Sequence, residues 1–316
     1  AALDWLQDNR PSDADLQKQV LLSWVKVDLN DALPLVEDFA RRTGQTDVYN
    51  TMVGFWVRQD PDKAIAWADS LDDSQKSSVY RTLAYNYIQS HPRAGLNWVV
   101  GLGAQYDDIK MSALRSINGE NASVAQQILS NTSDPVARSA LFMGLAQYKA
   151  SRDPKAALNW LSGYQSSQHY PDAYITIMSR YAARDPTDAA QQLLDAPLPD
   201  EATRKAAFAI ASTWYQQDAG AATRWVASLP TSAAGVGAIQ GIATLLANKD
   251  PERALSLVAS LPESDRSNVA RSVGFIVVGK NPAEAEDVIT RLGLGPMAAE
   301  QIRQLARSQK ADTPNM

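Results

Sequence analysis

The chain contains no cysteine and only two histidines among its 316 residues. Without cysteine it can form no disulfide bond, no thiol nucleophile and no cysteine-ligated zinc site. A chain without thiols suits an oxidising compartment such as a bacterial periplasm, where a stray thiol is a hazard. We therefore expect a periplasmic or otherwise extracytoplasmic location, with a cytoplasmic protein that simply has no cysteine as the alternative.

Excess basic charge and long apolar runs are also lacking. The chain has 30 basic and 35 acidic residues, which gives a formal net charge of −5. Nucleic-acid phosphates need a basic patch on their partner, so we expect no nucleic-acid partner. No apolar run approaches the roughly 20 residues that cross a bilayer, so we expect no membrane span in this chain.

The sequence motifs that carry catalysis are missing as well. The chain has no metalloprotease helix motif, no P-loop and no nucleophile elbow. His91 occupies a helix-cap position before a proline, and His169 lies in a polar loop, so neither indicates a catalytic base. The glycines Gly235, Gly237 and Gly241 miss the dinucleotide-binding spacing and follow no strand. We expect no cofactor, no metal site and no catalytic residue.

What the chain does contain is a repeat of about 32 residues, anchored on Asp-Pro. The clearest copies read DPDKAIAW at 60–67, DPKAALNW at 153–160 and DPERALSL at 250–257. A fixed period of this size indicates stacked supersecondary units. The nine anchors are Asp28, Asp60, His91, Asn118, Asp153, Asp185, Asp218, Asp250 and Asn281.

Each anchor has the chemistry of a helix start. An Asp carboxylate accepts hydrogen bonds from the free N–H groups of a first turn, and proline at the first helical position loses no bond. We call the helix after the anchor helix A. A second helix, helix B, ends just before the next anchor, so each period predicts one helical hairpin. No useful period-two alternation appears, so we predict no strands.

Tryptophan is frequent, and its positions indicate packing. Seven residues after the anchor stand Trp67, Trp98, Trp160 and Trp225, and a further set lies four residues before an anchor. Both positions fall on the apolar face of their helix. Carbohydrate binding is the other interpretation of exposed indoles, but this register favours core packing. We therefore expect these four side chains to be largely buried and to occupy equivalent places in successive repeats.

The predicted fold is all-α: a right-handed α-solenoid of about ten antiparallel helical hairpins. Residues 1–308 form a single continuous array in this prediction. Trp5 matches the position seven after an anchor upstream of residue 1, so we expect a truncated first repeat and any signal or anchor upstream of it. The repeat at 118–152 is irregular, with a short helix A over about 122–129. A capping helix over 297–308 and a flexible tail over 309–316 complete the chain.

The segment 60–67 resembles the junction between tetratricopeptide repeats, where Asp-Pro precedes a helix with an early Trp. The similarity extends to Sel1-like and HEAT-like α-solenoids and covers nearly the whole chain, from Asp28 to about Leu294. This chain departs from the tetratricopeptide pattern in its shorter period, in a Leu four residues after the Trp, and in a Pro/Ser break between the helices. The resemblance implies a scaffold that binds proteins or peptides.

One face of helix B carries mostly small or polar residues at positions nine, six and two before each anchor. These positions lie opposite the aromatic residue at minus four. The face is either a polar groove for a ligand or a set of small residues that lets neighbouring helices approach. As candidate binding residues on this concave face we name Arg58, Tyr85, Gln89, Ser179, Gln216 and Asn248.

Two functions fit the sequence. The first is a non-catalytic scaffold that binds a protein or an extended peptide in its groove, within an envelope-associated complex. The alternative is an enzyme, or an enzyme subunit, that acts on a polymer such as peptidoglycan or polysaccharide. That alternative needs two or more carboxylates that meet in the groove. A deep pocket with two carboxylates free of ion partners favours the enzyme, and a long shallow groove favours the scaffold.

Overall fold

The computed structural model of the protein describes residues 13–311, together with residues 6, 9 and 10. Trp5, in the predicted first helix of the truncated first repeat, lies outside the described residues, as do residues 312–316 of the tail. All statements below concern the described part of the chain.

The structure is all-α, as predicted, with 19 α-helices and no strand in the described residues. The number of helices falls within the 18 to 20 that two helices per period predict. The first nine helices are α1 Ala14–Val25, α2 Leu29–Thr43, α3 Asp47–Gln59, α4 Pro61–Asp69, α5 Asp73–Ser90, α6 Pro92–Val100, α7 Asp107–Leu114, α8 Ala122–Asn131 and α9 Pro135–Arg152. The remaining ten are α10 Pro154–Leu161, α11 Tyr170–Arg184, α12 Pro186–Leu194, α13 Asp200–Gln217, α14 Ala219–Ser228, α15 Ala233–Leu246, α16 Pro251–Ala259, α17 Glu263–Lys280, α18 Ala285–Leu292 and α19 Pro296–Ala311. Three short 3₁₀ turns lie at Ala104–Tyr106, Ser162–Tyr164 and Pro282–Glu284.

The contacts divide the chain into two compact units. Unit 1 runs up to Tyr148, and unit 2 begins at Lys149. Each unit is described by itself below. The single continuous array of the sequence analysis stays a prediction.

The predicted anchors form a recurrent corner between helix B and helix A. At eight of the nine anchors the backbone φ lies between −151° and −133° and ψ between 74° and 100°. At Asp60 the backbone N–H donates to the Trp56 carbonyl at 2.9 Å, and the carboxylate accepts from the Lys63 N–H at 3.1 Å. One residue thus ends one helix and begins the next, which satisfies free groups of both helix ends. The same backbone shape at nearly regular intervals is what a repeated hairpin requires.

His91 keeps this corner without the usual cap. It occupies the N-cap position of α6, but its side chain makes no capping hydrogen bond. The ring instead lies 3.0 Å from the Ser90 hydroxyl and packs edge-on against Tyr87. The backbone geometry is therefore maintained by the neighbouring packing and by Pro92 rather than by the imidazole.

Within each unit, a helix packs against the helix two positions further along the chain. In unit 1 these are α1 on α3, α3 on α5 and α5 on α7, and in unit 2 they are α11 on α13, α13 on α15, α15 on α17 and α17 on α19. These are the B helices. The shorter A helices, such as α4 and α16, contact the B helix before them and the one after them. This arrangement is compatible with a helical repeat.

The tryptophans occupy equivalent places but are less buried than predicted. Trp67 is 9% exposed, whereas Trp98, Trp160 and Trp225 are half-buried. The residue after each of them is buried instead, as Val99 illustrates with no exposed surface. Viewed down the helix axis, the residues four and eight positions after the anchor are about 40° apart. The residue at plus seven lies about 60° from plus four in the opposite direction, so it stands at the edge of that face. The core stripe therefore follows plus four and plus eight, and the indoles flank it.

Three of the four indoles make the same contact with the preceding helix B. Trp67, Trp98 and Trp225 pack against the aromatic residue four positions before their anchor, whereas Trp160 has Lys149 at that position, with Nζ 5.3 Å from the centre of the indole. The ring centroids are 5.9 Å apart for Trp56 and Trp67, 6.2 Å for Tyr87 and Trp98, and 5.7 Å for Trp214 and Trp225. The predicted register of the two aromatic positions is thus confirmed, because the same pair recurs in three hairpins.

The helices of residues 118–152 differ from those of the other hairpins. Asn118 does not begin a helix: its side-chain oxygen accepts from the backbone N–H groups of Glu120 and Asn121, and α8 starts only at Ala122. Helix α8 ends at Asn131, two residues beyond the predicted end. An additional Asp-Pro pair at residues 134–135 then starts α9, where the Asp134 carboxylate accepts from the Ala137 N–H at 2.7 Å.

Successive B helices in unit 2 are also joined at their C-terminal ends. The side chain just before an anchor donates to a backbone carbonyl near the end of the preceding helix B. These bonds are Arg184 Nη1 to Arg152 O at 3.1 Å, Gln217 Nε2 to Ala183 O at 3.0 Å and Lys280 Nζ to Asn248 O at 2.6 Å. They satisfy carbonyls that a helix end otherwise leaves without a partner.

Candidate binding cleft

In unit 1 the predicted site residues lie on the polar face of α3 and α5. Arg58 Nη2 donates to Asn86 Oδ1 at 2.9 Å, and Gln89 Oε1 accepts from Asn118 Nδ2 at 3.0 Å. Tyr85 lies one turn before Gln89 on α5, with 55% of its surface exposed. Two of the three side chains thus join neighbouring elements of the array, which is the structural role that the sequence left open.

In unit 2 the predicted residues lie on two helices and in the segment after a third. Ser179 on α11 donates to the Ile175 carbonyl of its own helix at 2.9 Å. Asn248 follows α15 and offers its backbone carbonyl to Lys280. Gln216 is exposed near the end of α13. None of the six predicted residues lines the cleft described next.

A cleft of about 860 Å³ opens on the B helices of unit 2. It lies on the helix face that the sequence singled out, but one to three turns nearer the helix N-termini. It combines charged, amide, hydroxyl and apolar side chains. The lining residues are Ile175 of α11; Glu201, Arg204, Lys205, Phe208 and Ala209 of α13; Val236 and Gln240 of α15; and Ser264, Asp265, Asn268, Val269, Arg271 and Ser272 of α17.

The cleft exists because α15 packs unusually close to α13. A Cβ atom added to Gly237 would lie 2.1 Å from the Arg204 carbonyl oxygen, and one added to Gly241 would lie 2.7 Å from that of Phe208. Real Cβ atoms essentially never come closer than 3.0 Å to such atoms. The two backbones therefore meet where only glycine fits. These are the glycines that the sequence analysis excluded from dinucleotide binding, and helix packing is their role.

The repeat register explains why the surface is hollow at α15. Gly237 stands thirteen residues before its anchor, where α13 carries Lys205 and α17 carries Asn268. Gly241 likewise stands at the position that Ala209 occupies in α13. Longer side chains on α13 and α17 thus rise on either side of a helix that presents little of its own. The cleft therefore arises because α15 carries glycine at positions where the neighbouring B helices carry larger side chains.

The charges of the cleft are distributed over two helices. Glu201 forms ion pairs with Arg204 at 3.2 Å and with Lys205 at 3.5 Å, all on α13. On α17, Arg271 Nη2 lies 3.4 Å from Asn268 Oδ1, and Asp265 accepts from the Ser264 hydroxyl at 3.5 Å. The lining thus holds three basic and two acidic side chains. Among the described residues, Arg271 makes no ion pair.

A second charge cluster lies in unit 1 at the irregular repeat. Lys110 on α7 is only 2% exposed, and its Nζ lies 2.8 Å from Asp134 Oδ2 and 3.1 Å from Asp107 Oδ1. Burial acts to lower the pKa of Lys110, but hydrogen bonds to Asp134 and Asp107 outweigh it and the pKa is raised. The pKa of Asp134 is lowered, first by the hydrogen bond from the Ala137 N–H and then by that from Lys110. The cluster ties α7 to the start of α9.

Comparison with known proteins identifies no relative. No protein-family model, no curated protein and no solved structure matches this chain. In the described part of the chain, no three His, Asp or Glu side chains are grouped so that they could hold a metal ion. Over the same residues, none of the helices has the length and apolar character that crossing a bilayer requires.

Proposed function

We propose that this protein is a helical-repeat scaffold, a right-handed α-solenoid of hairpins that binds a protein or an extended peptide on its helix-B face. The observation that carries the proposal is the cleft over α13, α15 and α17, which is open along three consecutive B helices and mixes polar and apolar groups. Recognition sites of this kind place a few polar groups in a largely preformed concavity. The tetratricopeptide-like anchor supports the same class of function by analogy.

The charge pairing in the cleft favours binding over catalysis. A carboxylate-based hydrolase needs two acids in which one donates a proton and the other acts as base or nucleophile. In this cleft Glu201 already forms ion pairs with Arg204 and Lys205, so Asp265 is the one lining carboxylate without such a pair in the described residues. The scaffold is therefore the better-supported function, and polymer cleavage remains the competing hypothesis.

The proposal includes an envelope-associated setting. Its support is the complete absence of cysteine, which suits an oxidising compartment. The partner in this proposal is consequently a protein or peptide that reaches the same compartment. Fractionation of cells with an antibody against the native chain tests this part of the proposal separately.

Site-specific cross-linking tests the scaffold function. A photo-reactive amino acid at Asn268, in the cleft, should cross-link a discrete partner in the native organism's envelope fraction. The matched control places the same amino acid at Ser256, an exposed position on the A helix α16, and should give no such product. Gln240→Trp fills the cleft floor and should abolish the Asn268 product while the thermal midpoint stays unchanged.

Two results would contradict the proposal. Equal cross-linking from Ser256 and Asn268 would show that the cleft has no special role. Release of soluble fragments from purified peptidoglycan or polysaccharide, lost in Asp265→Asn, would instead establish the enzyme.

A further inference from the structure

We infer that the cleft of unit 2 takes an extended acidic peptide segment, with carboxylate side chains on either side of an apolar one. This inference rests on the proposed scaffold function and specifies its partner. It is argued from the charges of the two walls, the apolar floor between them and the width of the cleft.

The basic groups of the cleft stand on both walls. Arg204 and Lys205 extend from α13 and Arg271 from α17. Glu201 is shared between the two α13 cations, so its single charge cannot neutralise both. Among the described residues, Arg271 has a single polar contact, to the Asn268 amide oxygen at 3.4 Å, which is long for a guanidinium that can bind a carboxylate with two N–H groups. With Asp265 also on the α17 wall, the lining holds three basic and two acidic side chains, and this basic excess in a chain of net charge −5 provides complementarity to an acidic ligand.

Apolar groups lie between these cations. Ile175, Phe208, Val236 and Val269 contribute to the lining, and Val236 belongs to the recessed helix α15. An apolar side chain of a ligand would be removed from water there while acidic neighbours reach outward to the walls. Peptides supply that pattern, because side chains two residues apart on an extended strand point to the same side, so acidic side chains can flank an apolar one within the cleft. An anionic polysaccharide supplies the charge without the apolar side chain.

The length of the ligand follows from the helices it crosses. Packed helices lie about 8–10 Å apart, so a segment that runs from α13 over α15 to α17 spans about 16–20 Å. An extended chain rises about 3.3 Å per residue, so about six residues bridge the cleft. A probe peptide of about eight residues therefore covers it with one residue to spare at each end.

The experiment measures binding of labelled peptides by fluorescence anisotropy. The probe is a peptide of about eight residues with Glu on both sides of a central Leu and with both ends blocked, so that only side chains carry charge. Its Glu→Gln counterpart is the matched control. We expect the Glu peptide to bind about tenfold more tightly at low salt, with the advantage shrinking as salt screens the charges.

Variants of the chain locate the charge contact. Arg271→Glu should weaken the Glu peptide about tenfold and improve a Glu→Lys peptide, a reciprocal change that simple unfolding cannot produce. Arg253→Glu, at an exposed position on α16 outside the cleft, should leave both affinities unchanged. Arg271→Gln gives an intermediate affinity and guards against a folding defect in the reversal variant.

The outcomes separate this inference from the proposed function. If Glu and Gln peptides bind equally and Gln240→Trp blocks both, the acidic preference is wrong while the scaffold stands. If no peptide binds and polygalacturonate binds in an Arg271-dependent way, the peptide ligand is wrong. If neither binds and the Asn268 cross-link is also absent, the scaffold function itself is overturned.

Discussion

The pair α3 and α5 in unit 1 and the pair α13 and α15 in unit 2 present helix-B faces that are built in different ways. In unit 1, side chains on consecutive helices meet one another: Asn50 Nδ2 donates to Ser78 Oγ at 2.9 Å, and Arg58 donates to Asn86 at 2.9 Å. In unit 2, α13 and α15 meet through their backbones at Gly237 and Gly241.

This difference decides whether the face between two B helices is closed or hollow. A side chain that bonds to its neighbour fills the surface between two helices, whereas a glycine contact removes side chains and leaves a hollow. The same hairpin can therefore present a closed polar face or an open cleft. The side-chain size at a few positions, counted from the anchor, determines which of the two surfaces forms.

The largest effect is expected from a methyl group at the backbone contact in unit 2. Gly237→Ala places a Cβ against the Arg204 carbonyl, 2.1 Å away, so the helices must move apart. We expect a loss of about 2–3 kcal/mol in the free energy of unfolding, as for overpacked cores. Urea unfolding gives the value, and hydrogen exchange at the amides of α13 and α15 localises it.

Gly279→Ala is the matched control for this variant. Gly279 also lies in a helix, but an added Cβ meets nothing within 4 Å. There the substitution should stabilise the chain by about 0.5–1 kcal/mol, because alanine favours the helix. Equal behaviour of the two variants would remove the close backbone contact as the cause of the cleft.

A smaller effect is expected from the buried cation of unit 1. Lys110→Met removes the partner of Asp107 and Asp134. Both carboxylates are partly exposed, so water compensates in part, and we expect a loss of about 1–2 kcal/mol rather than the full cost of a buried charge. Urea unfolding measures it. Lys155→Met, at an exposed pair with Asp188, is the control and should cost less than about 0.5 kcal/mol.

The same cluster predicts a pH dependence. The folded chain lowers the pKa of Asp134 below its ordinary value of 3.8, so the unfolded chain takes up the proton first as the pH falls. The stabilisation is complete above that ordinary value and is lost as the pH falls through the folded pKa. The stability difference between the native chain and Asp134→Asn should therefore be clear at about pH 6 and smaller at about pH 3. A constant difference at both values would contradict the pKa shift.

The smallest effect is expected from a single side-chain contact on the polar face of unit 1. Arg58→Ala removes an exposed hydrogen bond to Asn86. Such bonds contribute about 0.5 kcal/mol, so urea unfolding should change by no more than that. A loss above about 1 kcal/mol would mean that the polar contacts hold unit 1 together as firmly as the backbone contact holds unit 2.

The sequence predicted what depends on neighbouring residues along the chain. The corner at Asp60 follows from a carboxylate and a proline at the start of a helix, so its cap could be expected from the local sequence. The short helix α8 and the second start at Asp134 were predictable for the same reason. The sequence favours Trp98 at the core position because its indole is the larger apolar group. The helix instead turns the smaller neighbour Val99 into the core.

The cleft could not be predicted in this way, because it depends on the relative depth of adjacent helices. Phe208 and Arg271 look like ordinary surface residues until α15 is placed between them. The available signal was the pair Gly237 and Gly241, one helical turn apart, at positions where other repeats carry larger side chains. Aligning the repeats on their anchors and comparing side-chain size position by position would have found it.

The hydrogen bonds between successive helix ends in unit 2 have a consequence for how such a chain gains repeats in evolution. Their donors differ, being Arg184, Gln217 and Lys280, while every acceptor is a peptide carbonyl. A backbone acceptor is present in any hairpin whatever its sequence, so a duplicated unit arrives with its attachment point already in place. Gene duplication can then lengthen the array without matched mutations on both sides of the new junction, and individual repeats stay free to acquire their own binding surfaces.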